Sequence, residues 1–213
     1  MLKPALLVFA ICILSFTGYC QIPAGYKGVA STASFQQLLA KNNAAIQSIQ
    51  SDFSQTKVLK LLADKITSRG KFYFKKEDKV RIEYTSPYQY LLVMSGGQVA
   101  VRDEQKTSKI NTRNSKTMQR VNRIIIDCMR GTVFANPDFK TTVYENGGTY
   151  LLSLAPANSA MQQMFQRIDV YMAKGSMDVS RLVMTEQGGD YTDMVFSHTQ
   201  RNIVLNDALF KIK

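Results

Sequence analysis

The chain has 213 residues, 27 Lys and Arg against 16 Asp and Glu, a formal net charge of +11 and 45% hydrophobic residues. This suits one domain with an ordinary core, and a basic surface that approaches anionic membranes or acidic partners readily. The cations are spread rather than packed into a block, which disfavours nucleic acid and fits a solvated outer face.

Met1 to Cys20 reads as a secretory leader: Lys3 comes first, then the apolar run Ala5 to Phe16, then small and polar residues. The run is too short for a confident transmembrane helix. Gly18 and Cys20 fit the small positions of a cleavage site, which would leave Gln21 as the new N-terminus. A lipobox with Cys20 acylated is the alternative; Tyr19 and Thr17 fit it poorly. Cys12 and Cys20 leave with a cleaved leader, so Cys128 remains alone and cannot form an internal disulfide. It reads as a buried packing thiol.

Residues 21–33 are small and Gly-rich, a flexible arm before a single domain over 34–213. Ser34 is a candidate N-cap with Gln37 as its capping-box partner. Phe35, Leu38, Leu39, Ala45, Ile46 and Ile49 recur at helical spacing. From about Ser51 the period changes to two, and Phe53 belongs to the first strand.

The stretch Gly70 to Tyr84 reads as a hairpin turning at Lys76-Glu77-Asp78. One face carries Phe72, Phe74, Val80, Ile82 and Tyr84; the other carries Lys71, Tyr73, Lys75, Arg81 and Glu83. What covers the apolar face is the question this hairpin raises. Tyr90 to Met94 and Gln98 to Arg102 follow as strands, joined through Gly96-Gly97. Glycine pairs recur at Gly147-Gly148 and Gly188-Gly189, where hairpin turns call for positive φ.

Thr117 to Met129 interrupts the sheet as a second amphipathic helix. Met118, Val121, Ile124, Ile125, Cys128 and Met129 lie on one side, Arg120, Arg123 and Asp127 away from it, and Gly131 is its stop. Later strands are Phe139 to Tyr144, Tyr150 to Leu154, Gln163 to Ala173, Val179 to Thr185, Tyr191 to Thr199 and Ala208 to Ile212. About ten or eleven strands with no βαβ rhythm predict a mainly β fold with helices: an incomplete antiparallel β-barrel, the helices laid on its concave face.

No catalytic or metal signature stands out. The single His198 shares strand parity with Met194 and Phe196 and is expected at the interior or rim. There is no nucleophile elbow, Walker loop or dinucleotide fingerprint, and too few His and Cys for a zinc site. An enzyme is not expected, nor a cofactor or metal. Ten methionines and no Trp remain; the methionines fit either gap-filling in a core or an adaptable apolar surface.

Several segments, in order, resemble the LolA family of periplasmic lipoprotein carriers. They are Ser51-Asp52-Phe53-Ser54-Gln55-Thr56, Gly70 to Lys75, Val80 to Tyr84 with Pro87, Leu91 to Gly97, Tyr150 to Leu154 with Pro156, and the close Asn202, Leu205, Phe210. The resemblance implies an unclosed barrel with a helical lid and a periplasmic monomer that carries lipoprotein acyl chains from inner to outer membrane. It implies an ATP-driven releasing complex in the inner membrane as donor, and an outer-membrane acceptor or the membrane itself as recipient. On this reading Phe72, Phe74, Val80, Ile82 and Tyr84 line the cavity with Met184, Met194 and Phe196. Leu38 and Leu39 of the first helix and Ile124, Ile125 and Met129 of the second cover it. The family's lid-locking arginine is matched by Lys76, with Arg69 or Arg81 as substitutes. A module for another lipid or hydrophobic small molecule, or a lipoprotein-sensing or assembly protein of the same fold, is the alternative.

Overall fold

The computed structural model describes residues 22–76, 78–103, 107–110, 124, 126–128 and 131–211. The leader therefore lies outside the described residues, as do Met118, Val121, Ile125 and Met129. Twelve strands form one antiparallel sheet: β1 (Lys27–Gly28), β2 (Ser48–Leu59), β3 (Asp64–Lys75), β4 (Lys79–Ser86), β5 (Tyr90–Ser95), β6 (Gln98–Arg102), β7 (Thr107–Ile110), β8 (Phe139–Glu145), β9 (Thr149–Pro156), β10 (Phe165–Ala173), β11 (Val179–Glu186) and β12 (Tyr191–Arg201). The order is β1-β8-β9-β10-β11-β12-β2-β3-β4-β5-β6-β7, so β12 against β2 joins the two halves. The ends β1 and β7 do not meet, and the barrel stays open.

The expected unclosed sheet is present; it gains the two-residue β1, which pairs with β8, and β7, which pairs with β6, and lacks the expected last strand. The pairing of β1 fixes part of the stretch expected to be a flexible arm. Helix α1 (Thr32–Ala44) starts earlier than predicted: Ser31 is the N-cap, its Oγ accepting from Ser34 N. The helix also ends earlier. Ile46 follows it and Ile49 belongs to β2, although both stay buried on the same side as Phe35 and Leu39.

The β3–β4 hairpin has the predicted register, with Phe72 opposite Ile82, Phe74 opposite Val80 and Gly70 opposite Tyr84. Cross-strand apolar pairs of this kind are what stabilise such a ladder. Gly70 is required by space: a Cβ there would lie 2.1 Å from Glu83 O and 2.7 Å from Phe53 Cζ. Gly96 and Gly97 take positive φ as expected, and so does Gly189. Gly147 and Gly148 do not; that turn is held by Asn146, whose Oδ1 accepts from Gly148 N and Thr149 N.

Three expectations fail for physical reasons. His198 has φ +51 at a break in the β12–β2 register, so the bulge turns it outward, 81% exposed, against Asp52 at 3.1 Å. Asp127 points inward: Thr132 Oγ1 and Asn136 Nδ2 donate to its two oxygens at 3.0 and 2.7 Å, which is how a buried carboxylate stays satisfied. The last expected strand is instead a 3-10 turn, Asp207–Phe210. It wraps the convex face, where Leu205 and Phe210 bury against Leu91 and Val93.

Candidate functional site

The concave floor is built where inward positions of several strands converge. Its aromatic rings meet edge to face, Tyr90 to Tyr84 at 5.7 Å, Tyr84 to Phe53 at 5.0 Å and Phe196 to Phe72 at 5.9 Å. Each such contact adds about 0.5–1.5 kcal/mol beyond its buried area. Phe53 also lies 6.5 Å from Phe196, joining the two groups into one row. Tyr84 Oη donates to Gln55 Oε1 at 2.8 Å, and burial pushes its phenol up to about 12. Phe72, Phe74 and Val80 are buried, while Ile82, Tyr84, Met184 and Phe196 are partly buried against the same core. Met194 is buried beside Leu182.

The cover is α1 together with the helical residues Ile124 and 126–128. Leu39 is fully buried, Ile124 and Cys128 nearly so. Leu38 is 42% exposed, one residue off the buried stripe and facing away from the floor. Phe35 packs its ring against Tyr150 at 4.8 Å and Phe134 at 6.0 Å. Burial pushes the Cys128 thiol up to about 12, which makes it inert while covered.

Under the C-terminal end of α1 a narrow cleft remains, with about 30 Å³ of free space. That holds a water or two and no acyl chain. Its walls are apolar, among them Ile46, Ile49, Phe72, Met172, Val179 and Phe196, and its mouth carries Asn43, Asp178, Thr199 and Arg201.

Among the described residues, the side-chain bonds that tie α1 to the rest of the fold cluster at this same end. Asn43 Nδ2 donates to Cys128 O at 2.9 Å. Arg201 Nη1 donates to Asn42 Oδ1 at 3.2 Å while its Nε holds Asp178 Oδ1 at 2.6 Å. Lys76 Nζ donates to Ala44 O at 3.1 Å, a cation on the negative end of the helix. Asn202 donates to Ala45 O and accepts from Gln47 N, fastening the turn after the helix. Arg69 and Arg81, the other lock candidates, lie on the convex side. Arg69 is exposed, and Arg81 is engaged with Glu83 and Leu209 O.

Sequence reasoning missed Phe53, Tyr90, Met172, Asn43, Arg201 and Asn202. Phe53 and Tyr90 were readable from strand parity. The three polar residues were not, since their partners lie far away in sequence. Among the described residues no group of His, Cys, Asp and Glu is arranged to hold a metal.

The family profile described as "Outer membrane lipoprotein carrier protein LolA" matches residues 44–213. An outer-membrane lipoprotein carrier protein of Methylococcus capsulatus is 25% identical over 193 residues, 88% of this chain and 86% of the relative. Solved structures that resemble this one include a LolA-superfamily protein of Nitrosomonas europaea, with 13% identity, TM-score 0.47, and 83% and 97% of the two chains covered. Another is the lipoprotein LppX of Mycobacterium tuberculosis, with 8% identity, TM-score 0.42, and 83% and 100% covered. The profile match spans most of the sequence, and the chain belongs to the LolA family.

Proposed function

We propose that this protein is a periplasmic carrier that takes the acyl chains of lipoproteins into the concave hollow and moves them from inner to outer membrane. The observation that carries the reading is the character of the cover. Leu39, Phe35, Ile124 and Cys128 seat on an aromatic and methionine floor, while the polar ties of α1 sit at one end. Such a cover lifts once those few ties let go, and apolar chains replace it on the floor with little change in buried area.

Burying a methylene is worth about 0.8 kcal/mol, so a sixteen-carbon chain represents roughly 12 kcal/mol. A lipoprotein therefore leaves a bilayer only for an equivalent apolar home. The cleft under α1 has only about 30 Å³ free, so a chain that enters there displaces the helix, and an ATP-driven releasing complex in the inner membrane supplies the work. The closing lid then competes with the cargo and favours its release to an acceptor or to the outer membrane. Lys76 and Arg201 act as latches in this scheme. Lys76 supplies charge without the rigid fork of an arginine; Arg201 uses that fork to bridge Asp178, the Ser176 carbonyl and Asn42.

The test is Ile82→Glu, at a half-buried floor position. A diacylated or triacylated lipopeptide is expected to bind the wild type and not the variant, with far-UV dichroism unchanged. Equal binding by a folded variant would remove this wall from the site. Mass spectrometry of what co-purifies separates a lipoprotein cargo, which includes polypeptide, from a free lipid.

A further inference from the structure

Among the described residues, adjacent exposed leucines away from the cavity sit at the tip of the β2–β3 hairpin. Leu61 is 93% exposed and Leu62 72%, in a turn closed by bonds from Leu62 N to Leu59 O and Ala63 N to Lys60 O. Ile66, just behind, is 43% exposed. The hairpin overhangs its neighbour. The first β3–β4 pair is Arg69 with Ser86, so residues 64–68 of β3 pair with β2 alone. At about 3.4 Å per residue the overhang is about 17 Å. Its root is firm: β12 flanks β2 up to Val58, and Lys60 N donates to Asp190 Oδ1 at 2.9 Å.

We infer that this tip enters the surface of an anionic bilayer, with Leu61 and Leu62 in the interfacial region and the lysines behind them at the headgroups. The order of chemistry along the hairpin matches a bilayer read from inside outward. Two leucines come first, then Lys60 and Lys65, both exposed, with Ile66 and the half-exposed Tyr191 at the flank. Lysine stems lie along apolar surface while their ammonium groups stay wet, and Tyr favours the same boundary. The charges nearby are Lys57, Lys60, Lys65 and Arg69 against Asp64, Glu186 and Asp190. Lys57 is paired with Glu186, and Asp190 is held by Lys60 N, so the cations facing outward are the exposed ones. The net charge of +11 adds long-range attraction to the same surface. A protein groove would ask for an apolar face along the hairpin; here the apolar residues stand at its end. The inference does not depend on the carrier reading, because vesicles without lipoprotein test it.

The chain contains no Trp. Leu61→Trp therefore places a single indole at the tip, and its emission is expected to shift to the blue on mixing with vesicles of phosphatidylcholine containing phosphatidylglycerol. In flotation, the wild type is expected to rise with those vesicles, and Leu61→Ser/Leu62→Ser to bind at least about tenfold more weakly with an unchanged melting midpoint. Lys60→Gln/Lys65→Gln is expected to weaken binding at low salt and to match the wild type at high salt, where screening has removed the lysine contribution. An indole that stays solvent-exposed, a wild type that remains at the bottom of the gradient, or a serine variant that floats as well as the wild type would each overturn the inference.

Discussion

The two faces of the sheet are both covered, and the covers are fastened differently. On the concave side α1 lies on the aromatic floor, and its side-chain ties among the described residues gather at one end. On the convex side the segment 203–210 is bonded along its whole length. Ser48 Oγ donates to Ile203 O at 2.6 Å, Lys75 Nζ to Leu205 O at 2.9 Å, and Arg81 Nη1 to Leu209 O at 2.9 Å. Lys75 and Lys79 both hold Asp207, and Leu205 and Phe210 bury between these bonds. A cover tied at one end can open without unfolding the sheet; one tied throughout opens only with it. On the proposed reading the convex strap is part of the scaffold, and the helix is the moving part.

Truncation separates the two most strongly. Phe210→Ala is expected to lower global stability by about 3–5 kcal/mol, read from the denaturant midpoint. Phe35→Ala removes a ring of similar size from the lid, yet its global effect is expected to be smaller. The loss is capped at the free energy of lid opening, because beyond that point the open lid is the ground state. Equal losses at the two sites would merge the covers into one cooperative unit. Below these comes the latch. Arg201→Ala is expected to raise the rate at which a thiol reagent labels Cys128 by up to about tenfold, the effect of one charged hydrogen bond in a partly exposed setting. Lys76→Met, at an exposed bond, is expected to raise it only about twofold. The same reagent is expected to label a Lys79→Met variant, altered on the convex side, at the wild-type rate.

The smallest effect is on pH. Hydrogen bonds from Lys75 and Lys79 hold the Asp207 carboxyl down to about 2 from an ordinary 3.8. Its contribution is therefore present above the unfolded value and lost as pH falls through the folded one. Wild type minus Asp207→Asn is expected to change between about pH 4 and pH 2 and to stay flat above that window. The difference isolates this group from Asp52 and Glu145, whose carboxyls are also held low, by Lys71 and Lys174. Hydrogen exchange in α1 is expected to be indifferent to that substitution.

The floor was legible because its signal is local. Alternation over Gly70 to Tyr84 set the register of Phe72 against Ile82 and placed Phe74 and Val80 inside. The convex strap was legible only in part. Tyr90 to Met94 is apolar on both parities, the mark of a strand buried on both faces, and Leu91 and Val93 are indeed covered from outside. The segment after Asn206 alternates Ala208, Phe210 and Ile212, which reads as a strand, but Asn206 caps a turn there instead, its Oδ1 accepting from Ala208 N and its carbonyl from Leu209 N. Of the latch, Lys76 was named through the family resemblance, but the part formed by Arg201 and Asn202 was not legible. Arg201 reaches Asn42, and Asn202 reaches Ala45, across most of the chain, and no local spacing records that meeting. His198 escaped for a different reason: one bulge residue reverses the parity on which its placement depended.

Hydrogen–deuterium exchange on the cargo-free protein, and again with a triacylated lipopeptide bound, tests the moving helix most directly. Amides of α1 should exchange faster than those around 203–210 before loading and faster still after it, while the strap stays constant. A helix as protected as the strap in both states, with lipopeptide nevertheless bound, would contradict a lid that yields its place to acyl chains.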